Sequence, residues 1–158
     1  MSGVYPAMDR DSTPWWSALA RHELMFQRCG ECATWRWPAR AMCNVCGSFG
    51  WGWFPSSGRG EVVSWIVNHH AFLPGFDAPY AVVFVRMDEQ PDLVLPGGYA
   101  GPPDDPRLVI GARVVAAYDE VAGDPPAGLL RWRPEPLPEP LSGPLPKPLP
   151  GGKIHSDD

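Results

Sequence analysis

The chain has 158 residues, 44% of them hydrophobic and 20% charged, with a formal net charge of −5. That is room for one ordinary domain or two small ones, and no run approaches the about eighteen apolar residues of a membrane span. Residues 1–60 carry six Arg against four acids and residues 61–158 carry seven basic residues against fourteen acidic ones, so the second half is a poor match for nucleic acid, whose binding rests on cationic contacts to phosphate.

The first eleven residues have no periodic pattern and are expected to be flexible. Ser12 or Thr13 can cap a helix over about 14–22 whose first turn accepts Pro14. Trp15 and Trp16 on that helix suit either packing against the next unit or docking of a partner protein, since so short a helix cannot bury two indoles alone.

All four cysteines come next, as Cys29-x-x-Cys32 and Cys43-x-x-Cys46. Two such hooks can close a tetrahedral tetrathiolate shell around one ion, a structural site with no open position for water or substrate. The start of the chain has no basic stretch followed by an apolar one, so no secretory signal is visible and a reduced, cytoplasmic setting is expected. A redox Cys-x-x-Cys usually occurs once, opening a helix; here two hooks flank a Trp-rich span. Zinc is the expected metal, with iron on the same thiolates as the alternative.

Leu24–Arg28, Thr34–Trp37 and Trp51–Phe54 read as the short strands of a rubredoxin-like zinc ribbon. Six of the eight Trp lie between 15 and 53, placed to cover the ribbon and its junction with the next domain. Pro55 to Gly60 marks a boundary. Beyond it the pattern is β, with strands predicted over 61–70, 80–87, 92–95, 113–118 and 129–132. Turn-forming clusters fall at Pro74-Gly75, Pro96-Gly97-Gly98 and Gly101-Pro102-Pro103. Five strands with long turns fit a small OB-type barrel. Residues 134–150 hold eight prolines in seventeen positions, which favours polyproline II in a solvated tail or a stiff arm across a partner. The expected organisation is thus a flexible 1–11, a helix and ribbon over 12–57, an OB-fold over 58–133 and a proline-rich tail over 134–158.

A self-contained catalytic constellation is not visible. The cysteines are taken by metal, and no Ser lies in a Gly-x-Ser-x-Gly setting. His69 and His70, as strand neighbours, point to opposite faces and cannot readily share a metal, so one is expected to face the barrel or a loop and the other outward. Arg40 and Arg59 can each hold a phosphate through a bidentate fork, or instead serve in a salt bridge or stack on a Trp.

The order of these motifs resembles a known family. Cys-x-x-Cys-Ala-Thr-Trp-Arg-Trp-Pro38-Ala-Arg40, Cys43-Asn-Val-Cys46-Gly47-Ser48, Ser57-Gly58-Arg59-Gly60, Pro74-Gly75, Pro79-Tyr80 and Ile110-Gly111 before Val114 fall as they do in the zinc-ribbon OB-fold proteins that accompany thiolase-like enzymes. The match covers roughly residues 12–132. It implies an auxiliary subunit with one structural zinc, bound to a thiolase-fold partner that makes or breaks a carbon–carbon bond in acyl-CoA thioesters, steroid side-chain retro-aldol cleavage among the possibilities. By analogy a two-plus-two heterotetramer is expected. Arg40, Arg59, His69, His70 and Tyr80 are the candidate contacts to CoA or partner, and Trp15 and Trp16 the candidate docking residues. The alternatives are a nucleic-acid-binding module, which the acidic barrel disfavours, and an independent acyl-CoA hydratase or thioesterase, for which no acid or base stands out.

Overall fold

The structure is a computed structural model that describes residues 5–72 and 77–136. The Pro74-Gly75 turn, residues 1–4 and the tail from 137 onward, His155 included, lie outside the described residues. Among the described residues nine elements succeed one another: α1 (Thr13–Ala20), β1 (Met25–Cys29), β2 (Trp35–Arg36), β3 (Trp51–Pro55), β4 (Arg59–Asn68), β5 (Tyr80–Met87), β6 (Val94–Tyr99), β7 (Arg113–Val121) and β8 (Ala127–Pro134). The fold is mainly β, and no described helix is long and apolar enough to cross a membrane.

α1 has Ser12 at its N-cap, but the Ser12 side chain makes no capping bond. Asp9 organises the entry instead, its Oδ1 accepting from the Ser12 N–H at 2.7 Å and its carbonyl from Thr13 Oγ1 at 2.6 Å. Upstream, the Tyr5 hydroxyl donates to the Pro125 carbonyl, tying this segment to the loop before β8. The helix buries Trp15, Ala18 and Leu19. It can lie close to β8 because residue 128 is Gly: a methyl group there would run into the Leu19 carbonyl. Trp15 also reaches Trp37 of the ribbon, ring centroids 5.9 Å apart, so one short helix joins both units.

The ribbon is a three-stranded antiparallel sheet in the order β2-β1-β3, with Gln27 opposite Arg36 and opposite Trp53. The second unit is a closed barrel, β4-β5-β6-β8-β7, in which β4 also pairs β7 and β6 runs parallel to β8. This is the five-stranded OB arrangement. Alternation explains its core. In β5, Ala81, Val83, Val85 and Met87 are buried while the residues between them are not, as a period of two requires of a strand lining a barrel. With Val62, Leu95, Val114, Leu130 and Trp132 they fill the interior, each large side chain stabilising the fold by about 1.5–3 kcal/mol.

One predicted turn is a strand. Pro96-Gly97-Gly98 lies inside β6, because the missing side chains let the neighbouring strand close in: a Cβ on Gly97 would sit 2.6 Å from Trp132 Nε1. Pro96 is tolerated because β8 pairs only Gly98 and Tyr99 of β6, so no β8 carbonyl is deprived by its missing N–H. β4 ends at Asn68, so His69 and His70 are not strand residues; both are exposed and neither faces the barrel interior.

Candidate metal centre

The two cysteine hooks are built alike. The Cys29 N–H donates to the Thr34 carbonyl at 3.0 Å and the Cys43 N–H to the Ser48 carbonyl at 2.8 Å; Ala33 and Gly47 donate back to the carbonyls of Cys29 and Cys43 at 3.1 and 2.9 Å. Each hook turns through a left-handed residue, Ala33 at φ 59° and Gly47 at φ 75°. The first hook closes β1 and the second precedes β3, and a Gly30–Gly50 backbone bond at 2.9 Å holds them together.

All four Sγ atoms lie within 4.8 Å of one another. Cys29 to Cys46 and Cys32 to Cys43 are each 3.6 Å. Thiolates about 2.3 Å from a tetrahedral zinc stand about 3.8 Å apart, so the quartet fits one zinc with little movement. Its electrostatics also call for a cation. A bond to the Thr34 hydroxyl and the Thr34 backbone N–H brings Cys32 down to about 6. The Ser48 N–H pulls Cys46 down, but Cys32, burial, Cys29 and Cys43 outweigh it and push Cys46 up to about 12. Four thiolates this close cannot all ionise without a metal ion among them. Cys29 and Cys43 are buried and Cys32 and Cys46 exposed; a shell of four sulfurs leaves no position for substrate, so the zinc is structural.

The other predicted residues do not converge. Arg40 is exposed, its backbone N–H donating to Gln27 Oε1 at 2.9 Å, and it borders a cleft of about 200 Å³ between the ribbon and the β5–β6 turn. Arg59 pairs with Glu135 and lines a different depression with Ser57, Tyr118 and Arg133. His69 lines a third with Val67, Pro79, Pro103 and Asp104, while His70 packs on Phe72, ring centroids 6.4 Å apart. Tyr80 opens β5 opposite Asn68. Trp15 is buried at 7% exposure; Trp16 is half-buried, its ring 4.7 Å from that of Trp15.

Two features escaped the sequence. Arg36, midway between the hooks, is 6% exposed; its position between two Trp on a strand was the available signal. The other is Asp105, 6% exposed, which accepts from the Tyr99 hydroxyl at 2.9 Å and from Arg107 Nη2 at 2.8 Å. Together they fasten the long connection from β6 to β7, whose tip presents Val109 and Ile110 to solvent at 51% and 62% exposure.

Residues 16–52 match the ChsH2 rubredoxin-like zinc ribbon domain and residues 53–119 the ChsH2 C-terminal OB-fold domain. A solved structure titled "Ltp2-ChsH2(DUF35) aldolase" contains a chain 35% identical to this one, with a TM-score of 0.73, covering 82% of this chain and 98% of that one. A DUF35 protein of unknown function from Sulfolobus solfataricus shares the fold at 15% identity and a TM-score of 0.57. Among curated proteins, a Thermomonospora curvata protein named "Probable enoyl-CoA hydratase alpha subunit" is 38% identical over 129 residues. The "3-oxo-4,17-pregnadiene-20-carboxyl-CoA hydratase alpha subunit" of Mycobacterium tuberculosis is 29% identical over 130 residues. The chain spans about two fifths of the length of these two relatives, 39% and 40%, while 82% of it is matched.

Proposed function

Because this chain belongs to the ChsH2 family, which joins a rubredoxin-like zinc ribbon to an OB-fold barrel, we propose that it is an auxiliary subunit of a thiolase-fold enzyme acting on acyl-CoA thioesters. The observation that carries this reading is the 35% identity over 98% of a chain from a structure titled as an aldolase of two named components. The reaction we assign to the assembly is carbon–carbon bond cleavage or formation, with retro-aldol release of a steroid side chain the specific form. The chain stabilises the complex and helps shape the path of the CoA group; the nucleophile belongs to the partner.

The residues support an auxiliary role. The zinc shell is closed, and where a described hydroxyl does meet a carboxylate, Ser56 Oγ on Glu89 Oε1 at 2.8 Å, the same oxygen also accepts from the Ser57 N–H, which suits a turn-fastening contact. Of nine large apolar side chains exposed among the described residues, five lie on the ribbon: Met42, Val45, Phe49, Trp51 and Phe54. So much exposed apolar surface on so small a unit marks a contact surface, and half-buried Trp16 adds to it. Arg40, at a cleft mouth, is the better placed of the two arginines for an anionic group, since Arg59 is already answered by Glu135. We take the assembly as two plus two, since a two-fold enzyme dimer offers each auxiliary chain an equivalent site.

The acidic barrel argues against nucleic acid as the ligand. Arg59, Arg86, Arg107, Arg113 and Arg131 each pair with a carboxylate, and the described residues include no Lys, so the backbone-tracking cationic groove is lacking among them. The hydratase activity named for the two curated relatives belongs to proteins more than twice as long. Co-expression of the tagged chain with a thiolase-like protein from the same organism tests the proposal. The two are expected to co-purify at equal stoichiometry through a salt wash; recovery of the chain alone would overturn it.

A further inference from the structure

Three polar side chains are buried among the described residues: Gln27, Arg36 and Asp105. Asp105 is fully answered by Tyr99 and Arg107. Arg36 is not. Its Nε, Nη1 and Nη2 are sealed from water and none has a hydrogen-bond partner among the described residues. An ion in that position is strongly disfavoured unless something opposite completes it.

The surroundings say what is missing. Arg36 on β2 stands opposite Gln27 on β1, so the two side chains share a face of the ribbon. Gln27 Oε1 already accepts from the Arg40 N–H at 2.9 Å, and Gln27 Nε2 has no acceptor. Arg36 and Gln27 Nε2 thus hold out unanswered donors, next to a cleft of about 200 Å³ lined by Arg36, Trp35, Trp37, Arg40, Met42 and Asp92 among others. Arg36 and Arg40 against Asp92 leave one positive charge. A carboxylate neutralises it and matches the planar fork of a guanidinium, whereas a phosphate near its dianionic form overshoots. Glu89 does not fill the role. Its Oε1 is taken up by Ser56 Oγ and the Ser57 N–H at 2.8 and 2.5 Å, its Oε2 is itself unpartnered, and no ion pair joins it to Arg36. Entry requires the rim to give, and Met42, 51% exposed and unbranched, can swing aside.

We infer that this cleft is a carboxylate-binding site, completed in the assembly by an Asp or Glu side chain of the docked partner. The inference rests on the auxiliary-subunit reading for its source of carboxylate; the donor set itself does not. The apolar ribbon side chains place that carboxylate, since Met42 belongs both to the exposed set and to the cleft.

The test uses the full zinc-loaded chain and the variants Arg36→Met and Arg36→Lys. In the free chain, Arg36→Met is expected to melt at the same temperature as the parent or higher, since it removes an unanswered buried charge; a fall of several degrees would mean an internal partner and overturn the site. In the complex, the same substitution is expected to weaken association roughly thirtyfold or more, with Arg36→Lys recovering part of it. Sodium acetate, titrated against sodium chloride at equal ionic strength, separates the sources. A melting rise in the parent but not in Arg36→Met, with association unchanged, would keep the site but overturn the partner as its ligand. No acetate response together with unchanged association would remove the site altogether. If the parent chain binds no thiolase-like partner, the functional reading falls by itself and the acetate arm alone decides the cleft.

Discussion

Tyr99 and Asp105 set opposite pH limits on the barrel. Burial, with the Asp105 carboxylate beside it, pushes the Tyr99 hydroxyl up to about 12. An unfolded chain releases that proton near about 10, so above this point the unfolded state binds fewer protons and stability falls as pH rises. Unfolding midpoints measured in urea are therefore expected to drop between about 10 and about 12, and Tyr99→Phe is expected to flatten that drop. Asp105 works in the other direction: bonds from the Arg107 side chain and backbone hold it well below the usual carboxylate range. Its contribution is present above that range and is lost only as pH falls through the lowered value. In the metal hooks, Ala33 occupies the left-handed position that Gly47 fills in the second hook. Ala33→Gly is expected to raise thermal stability of the zinc form by about 1 kcal/mol, while Gly47→Ala lowers it by a similar amount.

The helix and the ribbon depend on the surfaces they pack against. α1 reaches the barrel over Gly128 and the ribbon through Trp15. Gly128→Ala is expected to cost about 1–3 kcal/mol by overpacking, read as a lower denaturant midpoint with faster amide exchange confined to α1 and β8. The ribbon leans on the barrel through Gln90, whose Oε1 accepts from the Trp35 N–H at 2.9 Å. Its sheet is too small to persist without metal. Removing zinc with a chelator is expected to withdraw on the order of 10 kcal/mol from the ribbon, with loss of the ribbon amide signals before those of β4–β8, and metal analysis is expected to return one zinc per chain.

At the element scale, the features legible in the chain are those set by near neighbours. The cysteine hooks and the alternation in YAVVFVRM are local patterns, and the quartet and β5 appear where those patterns put them. The helix, predicted over 14–22, ends at Ala20 because His22 turns left-handed and stacks on Tyr118, centroids 5.4 Å apart. The strand predicted over 92–95 meets the start of β6, but its continuation was hidden because the prolyl-glycyl-glycyl stretch answers to Trp132 and Arg131, more than thirty positions away in the chain. Arg36 was hidden for a related reason: an Arg is read as exposed unless the strands that cover it are known. Arg40 and Arg59 drew attention by proximity to motifs, but their partners, the Gln27 side chain on the Arg40 backbone and Glu135 on Arg59, are set by tertiary structure.

The molecule as a whole divides its labour. Zinc shapes the ribbon, α1 and the Gln90 and Glu89 contacts fix the ribbon on the barrel, and apolar side chains of the ribbon and of the Val109-Ile110 tip stand exposed, the surface that the proposed function gives to a partner. On the auxiliary-subunit proposal, activity should belong to the assembly. The most direct check is turnover of a steroid side-chain acyl-CoA thioester by the zinc-loaded chain alone, by the thiolase-like partner alone and by the two combined at equal concentration. The account predicts no turnover by the chain alone, weak or unstable turnover by the partner, and sustained carbon–carbon cleavage by the pair; turnover by the isolated chain, or full activity of the partner without it, would contradict the account.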